Sequence, residues 1–157
     1  MNNQHALQML GTTYSANAHA FSQRYQNCNQ WLAELVASAW DPQPPGPDPR
    51  GQAQRWLKDQ GYQPTPIALG WAPLMWVSRM LPWLHSDDHP AEDLGDAVYR
   101  VSMPASIESF VLGFVPRAHR IELCFDRQQI VVRRDGPPIQ PGCRAEPGDE
   151  AINLPQS

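Results

Sequence analysis

Seventeen prolines in 157 residues set the first limit on what this chain can fold into. Proline fixes φ and carries no amide hydrogen, so it interrupts helix interiors and central strands. Regular structure is therefore confined to short elements. The clearest follows Tyr25-Gln26-Asn27-Cys28-Asn29-Gln30-Trp31, which runs into Leu32-Ala33-Glu34-Leu35-Val36-Ala37-Ser38-Ala39-Trp40. Trp31, Leu32, Leu35, Val36 and Ala39 recur at three- and four-residue steps, which predicts a helix with these side chains on one face. Asn27 is a good N-cap, because its short side chain accepts a bond from a first-turn amide. Cys28 then falls in the first turn. Unpaired N–H groups and the helix dipole favour negative charge there, which promotes a thiolate. Two readings of Cys28 stand at this point: a nucleophile, or a packed thiol that continues the apolar stripe backwards from Trp31.

The rest of the chain gives shorter signals. Residues 1–24 are polar and weakly patterned, with one helical turn or strand remnant ending at Gly11. Asp41-Pro42-Gln43-Pro44-Pro45-Gly46-Pro47-Asp48-Pro49 reads as a loop of polyproline character. Asp48 caps a second helix, with Pro49 at its first position and Gly61 past its end. Ala53, Trp56 and Leu57 form its apolar face. Residues 67–84 are the most apolar stretch, but Pro73, Arg79 and Pro82 interrupt it, and a membrane span needs about 20 largely apolar residues. A helix from Pro73 would place Trp76, Val77, Met80 and Leu81 on one side, as a core helix, a pocket wall or a membrane-surface helix. Ser102-Met103-Pro104 opens a third helix through Ala105, Ile107, Phe110 and Val111. The period then switches to two: residues 119–125 and 129–134 read as strands joined at Asp126-Arg127-Gln128, with His119, Ile121, Leu123 and Phe125 on one side. From Asp135 the chain is rich in Pro and Gly and reads as a tail. The expectation is an α+β fold, helices packed on a small antiparallel sheet, with one domain over 1–136 and a tail over 137–157.

A formal net charge of −4 supplies no basic stripe, so nucleic-acid binding gains no support. Six tryptophans suit a compact core or a site for an amphipathic ligand. Of three cysteines, Cys124 and Cys143 are free to pair in an oxidising compartment and leave Cys28 as a thiol; in the cytosol none need pair. Residues 1–5 show no basic start leading into an apolar run, so no signal peptide is read there. His85-Ser86-Asp87-Asp88-His89-Pro90 puts two imidazoles and two carboxylates within five residues. His85, Asp87, Asp88 and His89 are thus candidate metal ligands, against an ordinary exposed turn in which Asp87 or Asp88 caps the next segment. No cofactor is called for.

Asn27-Cys28, then a polar residue and later an aromatic at a helix start, resembles the nucleophile motif of circularly permuted papain-like enzymes, among them lecithin retinol acyltransferase and the PPPDE-type peptidases. More closely, the chain resembles the bacterial family with domain of unknown function 2145. The matching stretches include Thr13-Tyr14-Ser15, residues 25–40, Ala53-Gln54-Arg55-Trp56-Leu57, residues 85–90, 101–110, 120–124 and 131–134. The resemblance implies a partial papain-like fold, a Cys28 nucleophile, and export to the periplasm for full-length relatives. It also implies a catalytic His upstream of the Tyr-Ser stretch, so the chain reads as the C-terminal part of a larger, truncated protein. Within the chain, His119 is the best partner for Cys28, with His19 and His5 behind it and Asn27 beside the thiol. Two functions are open. One is a cysteine hydrolase or acyltransferase acting on a small-molecule or peptide substrate. The other is a non-catalytic envelope or binding module in which Cys28 is structural.

Overall fold

A computed structural model describes residues 3–70 and 81–155. The chain forms two compact units, Met1–Phe114 and Val115–Ser157. The fold is α+β: among the described residues there are five helices and two small antiparallel sheets. The expected helix from Pro73, with Trp76, Val77 and Met80, lies outside the described residues.

The first unit opens with α1 (Asn3–Gln8) and reaches α2 (Cys28–Trp40) through an irregular segment. Asn27 caps α2 as its sequence dictates: its side chain accepts from Gln30 N–H at 2.8 Å. Asp48 caps α3 (Pro49–Asp59) through Gly51 N–H, with Pro49 in the first turn. Gly61 comes after that helix at φ +78°, a left-handed conformation that glycine adopts without Cβ strain. Strand β1 (Thr65–Ala68) pairs antiparallel with β2 (Val98–Val101), Thr65 opposite Val101. Between them in sequence lies α4 (Ala91–Gly95), and α5 (Pro104–Phe114) closes the unit. Met9, Ala33, Ala37, Ala53, Leu57, Tyr62 and Ile107 form the core. Trp56 and Phe110 pack against it, and Trp40 and Phe114 add to these rings, stacking on each other at 4.9 Å.

The buried face of α2 is not the one its apolar residues suggest. Gln30, Ala33, Glu34 and Ala37 face inward, while Leu32 is half exposed. Ala33 and Ala37 let α3 approach closely. Glu34, fully buried, fills the space between with a charge. Its carboxylate accepts from Arg50 Nε at 3.0 Å and Nη2 at 3.2 Å, Gln26 Nε2 at 2.6 Å and Gln54 Nε2 at 2.6 Å. Four donors on two oxygens compensate the desolvation of the charge. Arg50 spends its other N–H groups on the carbonyls of Ser22, Gln23 and Tyr25. The irregular run before α2 is thereby tied to both helices.

The second unit is the sheet β3 (Ile121–Phe125), β4 (Gln129–Arg134) and β5 (Glu150–Asn153), in that order. The hairpin matches its period-two signal. The segment expected as a tail is built into this unit: it supplies β5 and a disulfide from Cys143 to Cys124. It also supplies Asp149, which grips Arg133 in two parallel bonds of 2.8 and 2.7 Å, while Glu146 takes a third at 2.9 Å. Bonding to Arg133 and to the Glu146 amide lowers the Asp149 carboxyl to about 2. That is below its value in an unfolded chain, so the stabilisation is complete above about pH 4 and fades as pH falls towards 2. Protection of β4 amides against hydrogen exchange should drop over that window in the parent. In Asp149→Asn it should be lower at neutral pH and flat on the acid side; an unchanged acid limb would show that another carboxyl governs it.

Candidate active site

Cys28 is the first residue of α2, exposed and free, whereas the other two cysteines are joined. Exposure disfavours the packed-thiol reading. Within the first turn, Gln30 N–H goes to the Asn27 side chain and Trp31 N–H to the Asn27 carbonyl at 3.0 Å. Among the described residues no acceptor takes the N–H groups of Cys28 and Asn29. These two donors sit beside the thiol, where an oxyanion would form.

Asn27 links the helix start to its neighbour in space. Its amide donates to the Ala16 carbonyl at 3.3 Å. Residues 13–20 run as a spine, bonded to 26 on one side (Ser15 N–H to Gln26 O, 3.2 Å) and to the 83–89 turn on the other. His85 N–H is held by Ser15 Oγ and Asn17 Oδ1, and the Asn17 amide returns a bond to His85 O at 2.8 Å. The His85 ring stacks on Tyr25 at 4.2 Å, three residues before the cysteine. Its Nδ1 is buried with no partner among the described residues.

Of the four residues read as candidate metal ligands, two meet: Asp88 Oδ1 lies 3.6 Å from His89 Nε2. His85 lies on Tyr25. Asp87 pairs with Arg24 at 2.8 Å and accepts from Tyr25 Oη at 3.3 Å. Burial first, then that bond and the Asp87 charge, raise the Tyr25 phenol above its ordinary range. Asp88 Oδ2 accepts from His19 N–H at 3.0 Å. His89 Nε2 lies 2.7 Å from Asn17 O; a carbonyl only accepts, so this nitrogen carries the proton. His85 and Asp87 are engaged elsewhere, so the Asp88–His89 contact gains no third ligand from this set. Among the described residues no group of three His, Cys, Asp or Glu is placed to hold a metal ion.

The remaining imidazoles lie in three separate places. His19 packs edge-on against His89 at 5.4 Å; burial, then the neighbouring His89, lower it below the usual imidazole range. His5 bonds Ser38 Oγ at 2.7 Å, ten residues along α2 from Cys28, which is about 15 Å at 1.5 Å per residue. His119 belongs to the second unit, exposed, with Nδ1 3.1 Å from Asp135. Within the first unit, where His5, His19, His85 and His89 are all described, no hydrogen bond joins any of them to Cys28 Sγ.

The profile of a bacterial family, described as an uncharacterised protein conserved in bacteria with domain of unknown function 2145, matches residues 1–111. The chain belongs to this family. The match covers the first unit almost to its end and stops before the second. No curated protein and no solved structure matches the chain. No helix among the described residues is long and apolar enough to cross a membrane.

Within the family's span, sequence reasoning singled out Cys28 and Asn27 as candidates and passed over Gln26, Glu34, Arg50 and Gln54. The one available signal was the spacing of Gln30, Ala33, Glu34 and Ala37, a helical stripe as regular as the apolar one.

Proposed function

We propose that the first unit is a scaffold of papain-like descent that presents Cys28 as a nucleophile towards the acyl group of a thioester, ester or peptide-like substrate. The observation that carries this reading is the exposed, free thiol at the start of a capped helix, beside two amides with no acceptor among the described residues. The thiolate adds to the carbonyl carbon, the amides of Cys28 and Asn29 take the developing oxyanion, and collapse expels the alkoxide, thiolate or amine, which takes its proton from water, and leaves an acyl-cysteine. The anchored Asn27 and the Glu34–Arg50 network keep the approach segment rigid, as such positioning requires. A disulfide in the same chain fits an oxidising compartment.

With no imidazole of the first unit bonded to the thiol, general acid–base help worth about 10²–10⁴ in rate is missing there from the release of the acyl group. The expected behaviour is acylation without rapid turnover. An activated aryl ester should add one acyl group to the native protein, lost in Cys28→Ser, and neutral iodoacetamide should label Cys28 without denaturant. Labelling only after denaturation would remove the basis of the reading. Steady turnover abolished by both Cys28→Ala and His119→Ala would show a complete dyad with His119 instead.

A further inference from the structure

The second unit lies outside the family match and has a surface that its own fold leaves uncovered. Strand β3 is at the edge of its sheet. Its outer face shows Ile121, Leu123 and Phe125, which are 57%, 67% and 78% exposed. The opposite face carries the disulfide.

The hydrogen-bond parity of the hairpin fixes which backbone groups are open. Asp126 N–H bonds Gln129 O at 3.0 Å, and Asp135 N–H bonds Arg120 O at 2.8 Å. Even-numbered residues of β3 therefore point their backbone at β4, and the N–H and C=O groups of Ile121, Leu123 and Phe125 point outward. Such an edge, with no proline, lysine or bulge, is a template for another strand.

We infer that this edge takes a second copy of the chain, β3 against β3 in antiparallel register, with Leu123 on the two-fold axis. A symmetric contact is self-complementary by construction, and the Leu123 register is the one that pairs all five residues of β3. Centred on Leu123, Ile121 faces the other copy's Phe125, and Arg120, which pairs with Glu122 of its own chain at 2.6 Å, faces the other copy's Asp126. Asp126 is ionised, since the Gln128 and Gln129 amides lower its carboxyl. A register centred on Glu122 sets Glu122 against Glu122, and one centred on Cys124 sets Glu122 against Asp126; like charges directly opposed are destabilising. The Leu123 register also brings the outward backbone groups of all three odd residues into bonding pairs and aligns the apolar side chains on one face of a continuous six-stranded sheet. A contact of one strand edge is small, so the dimer is weak and depends on concentration.

The test uses the full chain from micromolar to millimolar concentration. Light scattering should show the mass rising towards twice the monomer, and the amides of Ile121, Leu123 and Phe125 should exchange about tenfold more slowly at the high end. Leu123→Lys, at an exposed side chain that the fold does not need, should remain monomeric and lose that protection. The amides of Glu122 and Cys124, bonded within the hairpin, should stay protected in both and report that the unit is folded. A parent that stays monomeric overturns the inference. So does self-association with fast odd-numbered amides, which would place the contact elsewhere.

Discussion

Glu34→Ala should destabilise the first unit by about 3–5 kcal/mol, the usual cost of removing one member of a buried ion pair. The loss comes from what stays behind. Arg50 remains nine-tenths buried with its charge uncompensated, and the Gln26 and Gln54 amides each lose their shortest acceptor. All six tryptophans precede Val115, so the urea midpoint of their fluorescence reports this unit. Glu34→Gln should fall between the parent and Glu34→Ala, since it keeps the shape and loses the charge. Arg50→Lys should also be costly, because one ammonium cannot meet two carboxylate oxygens and three carbonyls. Arg50→Met combined with Glu34→Met should cost less than the sum of the single changes, as expected of groups in one network. A midpoint in Glu34→Ala within experimental error of the parent would mean that the segment before Cys28 is held by other contacts.

That network also explains which parts of the fold were legible. Caps are local chemistry: Asn27, Asp48 and Pro49 announce their helices within three residues, and the structure places them as expected. The β3–β4 hairpin is equally local. The inward face of α2 is not, because a buried glutamate can be recognised only when its arginine is known, and Arg50 comes from the next helix, sixteen residues on. The pairing of residues 65–68 with 98–101 is hidden for the same reason. At the candidate site, Cys28 and Asn27 follow from capping rules, while the stacking of His85 on Tyr25 joins residues sixty positions apart and leaves no local trace. The Pro- and Gly-rich end reads as disordered by composition, yet one disulfide and one buried arginine replace the apolar content that it lacks.

This substitution of cross-links for core makes Cys143→Ser the second large effect. The second unit, Val115–Ser157, buries little apolar surface beyond Val131, Val132 and Ile139. Units of that size usually need a staple. Closing the loop from Cys124 to Cys143, 19 residues apart, is worth about 3 kcal/mol. Without it, β5 and Asp149 are joined covalently to the hairpin only through the main chain of residues 135–149, and the exposed outer face of β3 stabilises nothing within this unit. Amides of β4 should lose most of their protection in Cys143→Ser or after reduction, while the tryptophan transition of the first unit stays in place. Self-association through β3 should disappear with it, since a frayed strand offers no template. If the β4 amides stay protected in Cys143→Ser, then Arg133 and its two carboxylates suffice to order the unit.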